Sequence, residues 1–503
     1  MAPHATSTSP NRADTRLATT DHDVYSGSSI TNNNHDNIRT SDPSSLTRYP
    51  DDEAHDMICV GFGPASLAIA VALQDALEPL STQPGRAKPK VRFLERQPHF
   101  AWHAGMMLPG AKMQISFIKD LATLRNPRSK FTFMNYLHEK RRLVSFTNLG
   151  TFLPERMEYE DYMRWCAGHF EDVVDYDTTV TSIKPAKLST GTKVECFQVE
   201  SWNRRREEFI LLRARHVVIA VGGRPNIPKC LSIDSPRVIH SSTYATQASN
   251  MFSPDSPPKS IAVIGGGQSA AEVFHNIHSR FPSSKSYLIV RDSALRPSDD
   301  SPFVNEIFDP EKVDSIYAQD SAVRANSLAA DKATNYGVVR LELLEKLYAE
   351  QYSYRLQYER ETDWPQQILT HRNATGITAL PAAGSHALRL HLSNTKQLTN
   401  EQTTPKDEAL DVDLVVVASG YARDAHTGLM RGLEHLMPER EDADGSWKVC
   451  RNYAVQFKKD SVRDNAGIWL QGSNENTHGL SDTLLSILAT RGGEVVQSIF
   501  GLG

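Results

Sequence analysis

Twice along this chain a short apolar strand runs into a glycine turn and then into a helix, and this pair constrains the fold more than any other feature. The first copy is Met57-Ile58-Cys59-Val60, then Gly61-Phe62-Gly63-Pro64-Ala65-Ser66, then the apolar run Leu67 to Leu73. The second is Ser260 to Ile264, then Gly265-Gly266-Gly267-Gln268-Ser269-Ala270, continued by Ala271, Val273, Phe274 and Ile277 at helical spacing. A further apolar strand follows each helix, at Val91 to Leu94 and at Tyr287 to Val290, and completes a βαβ unit. Such a turn aims backbone N–H groups and the positive end of a helix at one point, which suits a pyrophosphate. One copy alone is weak; two copies point to two dinucleotides. Ser66 and Ala270 stand where a third glycine is usual, and both are small enough for a helix to pack against its strand.

The residue that ends the second strand of each unit separates the two ligands. Glu95 lies 34 positions past Gly61, spaced out by a Pro-rich loop, and its carboxylate accepts from ribose hydroxyls while repelling a 2′-phosphate. Arg291, 26 positions past Gly265, offers a guanidinium suited to the 2′-phosphate of NADPH. The first site is therefore expected to take FAD and the second NADPH. The bland alternative for Arg291 is a surface ion pair with Asp292.

Two more apolar runs, Val217 to Val221 and Leu414 to Ala418, end at or just before glycine and suit strands buried on both faces. Of the first 50 residues, 26 are Ser, Thr, Asn or Asp, so a disordered polar tail is expected there. Residues 300–365 suit a helical insertion and 393–409 an exposed polar connection. The expected class is α/β, with two Rossmann-like units and a small helical insert. The domains expected are a first unit over 51–235 and 400–503, a second over 240–299 and 366–399, and the insert at 300–365.

The net charge of −5, from 55 Lys and Arg against 60 Asp and Glu, argues against a nucleic-acid partner. No apolar run is long enough for a membrane span, and a cytoplasmic protein is expected. Five cysteines, widely spaced and without a C-x-x-C pair, argue against a disulfide framework, a zinc site or a dithiol redox centre. No metal site is expected.

Five further blocks carry a resemblance: Phe100-Ala101-Trp102-His103, the segment KMQISFIKDLATLR from Lys112 to Arg125, SPFVNE from Ser301, TNYG from Thr334, and HGLSDTLLS from His478. With the glycine turns, they make the chain from about Asp56 onward resemble the flavin-dependent N-hydroxylating monooxygenases, and within that family the fungal ornithine-hydroxylating branch. Ala418-Ser419-Gly420-Tyr421 departs from the family's Ala-Thr-Gly-Tyr by one conservative change.

The resemblance implies hydroxylation of the side-chain amine of L-ornithine to N(5)-hydroxyornithine with NADPH and oxygen, through a C4a-hydroperoxyflavin, as the first step of hydroxamate siderophore synthesis. It implies a homotetramer. By family position it assigns Lys119, Asn305, Asn335 and Ser481 to the amino acid. It assigns Gly61, Gly63, Pro64, Glu95, Trp102, His103, Met113, Gln114, Gly479 and Leu480 to FAD, and Gly265, Gly267, Gln268, Ser269 and Arg291 to NADPH. The flavin carries the hard step, with Gln114 and Ser481 supporting it.

Each assignment has a plainer competitor: a Lys119 paired with Asp120, turn asparagines, a core Trp102, and Ser481 with Asp482 as the N-cap of the last helix. Lysine N(6)-hydroxylation is the nearest rival, because one methylene is worth only ~1–3 kcal/mol of discrimination. A catalytically silent flavin-binding sensor or scaffold is the rival from another class. A Baeyer-Villiger oxygenase is disfavoured, because the stretch ending at His240 has Asp234 and Pro236 where Phe and Gly belong.

Overall fold

The computed structural model describes residues 44–80, 88–186, 191–253, 255–381, 387–396, 406–438 and 447–502. Its first sheet grows around the strand Ala54–Val60, whose residues from Met57 onward are fully apolar and buried. Val91–Leu94 lies parallel to it on one side, with Met57 opposite Val91. The end of Glu208–Ile219 lies parallel on the other, with Met57 opposite His216. The long strand Glu208–Ile219 shows two characters in sequence and in space. Its first half alternates exposed and buried residues and pairs antiparallel with Cys196–Asn203. Its last three residues, Val217, Val218 and Ile219, are buried, and there Gly467–Leu470 runs parallel beside it. Alternation marks a strand with one wet face, and an unbroken apolar run marks one covered on both.

The helix Pro64–Leu77 is apolar nearly all round and is accordingly buried, packed between this sheet and the last helix, Leu488–Phe500. The two helices touch at Gly492, where a Cβ would fall 2.8 Å from the Ala68 carbonyl oxygen.

The second sheet is wholly parallel, in the order Gln366–Leu369, Lys285–Ile289, Ser260–Ile264, Leu414–Val417, Val238–His240. Gln268–Arg280 covers one face through Val273, Phe274 and Ile277. A three-stranded antiparallel sheet, Arg372–Ala379, Leu388–Asn394 and Lys406–Val412, covers the other through Leu388, Leu390 and Val412. In both sheets the strand before the glycine turn sits between its βαβ partner and a strand from later in the chain. That is the switch point at which doubly wound sheets open a ligand crevice. Two crossings join the units, Arg224–Pro225 and Tyr421–Ala422, and they pair antiparallel.

Four sequence expectations change. Leu414–Val417, expected in the first unit, pairs instead with Ser260–Ile264. An apolar strand buried on both faces fits beside any parallel neighbour, so its composition does not choose the sheet. Val238–His240 likewise joins the second sheet, so that unit begins before residue 240. The supposed connection 393–409 ends in the strand Lys406–Val412, and residues 397–405 lie outside the described residues. Most of the polar tail lies outside them too, yet residues 44–50 are packed. Leu46 is buried in the first core, Ser45 donates to Gln74 Oε1 at 2.8 and 2.9 Å, and Arg48 pairs with Asp175 at 2.7 Å.

Candidate functional site

Both glycine turns are glycine for a steric reason. Gly61 has φ +90°, and a Cβ on it would fall 2.6 Å from the Ala220 carbonyl oxygen; Gly265 has φ +146°, and a Cβ there would fall 2.6 Å from that of Ala418. Gly63 and Gly267 are the N-caps of the following helices, and neither helix has a side-chain cap or an acid in its first turn. Pro64 opens the first helix, where its missing N–H costs nothing. The N–H groups at both helix starts thus remain available to an anion. Beside the first turn, Glu95 is buried; its carboxylate accepts the Phe62 N–H at 2.7 Å and the Gln97 N–H at 2.9 Å. Beside the second, Arg291 is exposed and, among the described residues, forms no ion pair with Asp292 or any other acid.

The segment Phe100 to Met107 leads from the first unit to the second. Trp102 meets the rings of His103 and Tyr159 edge-on, at 5.1 and 6.3 Å. His103 has φ +49° and meets the ring of Tyr421 at 6.0 Å. The residue as a whole is exposed, yet protein crowds its imidazole. That loss of water, and then the Arg156 and Arg423 charges, push its pKa down to about 4, so it is neutral at pH 7. Two residues on, Gly105 presses against the second unit.

Lys112 to Lys119 runs beside Phe152 to Glu155, tied by Met113 N–H to Pro154 O and Phe117 N–H to Phe152 O, both 2.9 Å. Met113 is buried and Gln114 exposed. The Lys119 ammonium faces Asp309, at 3.7 Å, and not Asp120. Asp120 is buried and closes its own loop by accepting N–H groups of Ala122, Thr123 and Phe133. Burial raises its pKa, against the pull of those bonds.

The helical insert comprises Pro302–Asn305, Lys312–Ala318, Ser321–Asn335 and Leu341–Gln357. Asn305 turns its amide back to the Asp300 carbonyl oxygen at 2.9 Å. Asn335 ends its helix half-buried, and Tyr336 after it bonds Glu475, which also pairs with Lys332 at 2.8 Å. Gly337 backs onto Gly267, and the Arg340 N–H donates to Gln268 Oε1 at 2.9 Å; Ser269 beside it is half-buried. The insert thus meets the second glycine turn on one side and the loop 475–483 on the other.

In that loop Gly479 has φ +89°, and Leu480 is buried with Phe308 and Leu328. Ser481 is fully buried, and its hydroxyl has no hydrogen-bond partner among the described residues. Neither Ser481 nor Asp482 caps the last helix, which starts at Leu488 without a side-chain cap. Asp482 instead accepts the Asn474 N–H at 2.7 Å and pairs with buried Arg491 at 2.9 Å. That pair fixes the loop on which Ser481 rides.

Two turns with free N–H groups, a carboxylate beside the first, a guanidinium beside the second and an orphaned buried hydroxyl fit two dinucleotides and a polar guest. Sequence reasoning missed Arg156, Glu272, Tyr336, Arg423 and Glu475. Only Tyr336 lay inside a quoted block; Arg156 with Glu272, and Glu475 with Tyr336, are joined across more than a hundred residues, and Arg423 acts on His103 through its charge. No group of three or more His, Cys, Asp or Glu among the described residues is placed to hold a metal, and no helix among them is long and apolar enough to cross a membrane.

Residues 53–423 match the model of the L-lysine 6-monooxygenase/L-ornithine 5-monooxygenase family. The chain is 52% identical over 474 residues to an L-ornithine N(5)-monooxygenase of Cochliobolus heterostrophus, covering 91% of this chain and 88% of that protein. Among solved structures it resembles the ornithine N-hydroxylase of Kutzneria sp. 744 with reduced FAD, NADP+ and L-ornithine, with TM-score 0.78, 35% identity and coverage of 89% of this chain and 99% of that one. It also resembles the L-lysine 6-monooxygenase of Pseudomonas syringae, with TM-score 0.73, 27% identity and coverage of 88% and 99%.

Proposed function

This chain belongs to the L-lysine 6-monooxygenase/L-ornithine 5-monooxygenase family, and from that premise we propose that it hydroxylates the side-chain amine of L-ornithine, using FAD, NADPH and oxygen. The product is N(5)-hydroxyornithine, the first intermediate of a hydroxamate siderophore. One observation carries the reading: in a chain half identical to a relative of that name, the second glycine turn, the Lys119 segment and the buried Ser481 loop converge around one helical insert.

Bound FAD, once reduced by NADPH, supplies the oxygen chemistry. The chain's own residues bind, orient and exclude water. Gly61, Gly63 and Pro64 leave the first helix start open to the FAD pyrophosphate, and Glu95 takes ribose hydroxyls. Trp102, His103, Met113, Gln114, Gly479 and Leu480 would hold the FAD ring system. Gly265, Gly267, Gln268 and Ser269 cradle NADPH, and Arg291 takes its 2′-phosphate. Lys119 exchanges Asp309 for the substrate's α-carboxylate. Asn305 and Asn335 orient the amino acid, and the unpartnered Ser481 hydroxyl bonds at the buried end.

Lysine hydroxylation requires the same machinery with a pocket one methylene deeper. The relatives at about half identity are named for ornithine, which favours the shorter guest. A cytoplasmic homotetramer completes the reading, checked by light scattering.

The test is purified protein with FAD, NADPH and oxygen, offered L-ornithine and L-lysine separately, with hydroxylamine and peroxide both measured. Hydroxylated ornithine with little peroxide supports the proposal. Hydroxylated lysine overturns the substrate. Peroxide alone removes Lys119, Asn305 and Asn335 as an ornithine site, and FAD uptake with neither NADPH oxidation nor product favours a silent flavin-binding scaffold.

A further inference from the structure

Arg156 opens the helix Arg156–Ala167 in the first unit, and Glu272 lies on Gln268–Arg280 in the second. Their side chains meet as a two-bond fork, Nη1 to Oε2 at 2.9 Å and Nη2 to Oε1 at 2.8 Å. Both are largely buried, at 12% and 9% exposure. The fork does not stand alone. Arg156 Nη1 also donates to the Met106 carbonyl oxygen at 2.8 Å, and so holds the loop that carries His103. On the far side Gln268 donates to Glu272 Oε1 at 2.8 Å, and its own Oε1 accepts the Arg340 N–H at 2.9 Å. One chain of hydrogen bonds therefore runs from the His103 loop to the first residue after the second glycine turn, and on to the helical insert.

A buried ion pair adds little net stability, because desolvation offsets the attraction. What a bidentate fork adds is direction: two parallel bonds fix both distance and angle. At this junction that direction acts on the spacing of the two glycine turns. We propose that Arg156 and Glu272 are positioning residues that set the separation between the two dinucleotide sites, and with it the approach of NADPH to the flavin. The proposal rests on the assignment of the two turns to FAD and NADPH. Transfer between two bound groups is steep in placement, with about a hundredfold lost for a shift near 1 Å. Glu272 also orients the Gln268 amide. With Glu272 accepting its NH2 and Arg340 donating to its oxygen, only one amide orientation is satisfied.

The test uses the FAD-loaded enzyme. Glu272→Gln keeps the volume, removes the charge and sets an NH2 against the NH groups of Gln268 or Arg156. Arg156→Lys keeps the charge and loses the fork, so it guards against a variant that fails to fold. Both are expected to hold FAD, to slow anaerobic flavin reduction by NADPH tenfold or more, and to diminish the change that NADP+ makes in the flavin absorption spectrum. In the double variant the slowing is expected to match the larger single effect, since the two residues act as one. Reduction within twofold of wild type in Arg156→Lys, with an unchanged NADP+ spectrum, would overturn the proposal, as would additive slowing in the double variant. A wild-type protein that NADPH does not reduce would remove the cofactor assignment itself, a failure seen before any variant is made.

Discussion

Gly105→Ala probes how closely the two units are pressed together beside His103. A methyl at residue 105 would lie 1.8 Å from the carbonyl oxygen of Ser242, 2.1 Å from its carbon and 2.5 Å from the Thr243 nitrogen. All three are backbone atoms, so no side chain can swing aside. To reach even a 3.0 Å contact the loop and the segment Ser241–Thr243 must part by about 1.2 Å. Overpacking of this kind costs about 1–3 kcal/mol, and backbone against backbone belongs at the upper end. The same displacement pulls Met106 from Arg156 and shifts His103, so NADPH-driven flavin reduction should fall by about a hundredfold. Gly168→Ala is the control. Its φ is −58°, nothing lies within 4 Å of its Cβ position, and alanine there should be neutral or stabilise by about 0.4–1 kcal/mol. Thermal melts and stopped-flow reduction are read on both. A Gly105→Ala protein that melts and reduces like wild type would refute the reasoning, as would a control that falls equally.

Four further outcomes are expected. Arg291→Ala should raise the KM for NADPH by about tenfold to a hundredfold and leave that for NADH within twofold; equal effects on both would remove the 2′-phosphate assignment. Lys119→Met should raise the KM for ornithine by about tenfold to a hundredfold with flavin reduction unchanged, whereas slow reduction at normal ornithine affinity would contradict it. Arg491→Met strands the Asp482 carboxylate, which is fully buried, and should cost about 3–5 kcal/mol in denaturant titration together with loss of FAD; a near-neutral result would show the loop held by other means. Burial, against a weaker pull from Asp56, holds the His216 imidazole down to about 4. Between roughly pH 6.5 and 4 the unfolded chain therefore binds a proton that the folded one refuses, and stability falls as pH drops through that window. His216→Leu should flatten that part of the curve by up to about 3 kcal/mol, and an unchanged slope would assign it to other groups.

The glycine turns and their strands were legible because each is local: the strand, the turn and the helix lie within twenty residues and state their own geometry. Which later strand completes each sheet was not. Val217–Ile219 and Leu414–Val417 are both short runs of aliphatic residues, and it is their pairing, with Ala220 against Gly61 and Ala418 against Gly265, that distinguishes their homes. The polar tail reaches less far than composition implies because composition averages over 50 residues, while Leu46, Ser45 and Arg48 anchor the last seven. The Ser481 and Asp482 cap failed because the helix starts seven residues past Ser481, and Asp482 found a buried arginine instead. The Arg156 and Glu272 fork joins residues 116 apart, and neither residue carries a sequence signal of a partner.

The two units also differ in when a growing chain can finish them. The second sheet takes its five strands from residues 238 to 417, and all of them emerge before residue 467. The first sheet is different, because Gly467–Leu470 and the helix Leu488–Phe500 are its neighbours of Glu208–Ile219 and Pro64–Leu77. Until those two segments emerge, one edge of its parallel core stays unpaired and the apolar helix Pro64–Leu77 lacks its cover. The inserted unit is thus complete while its host is still half built, and the cofactor crevice that opens the polypeptide is the last part of it to close.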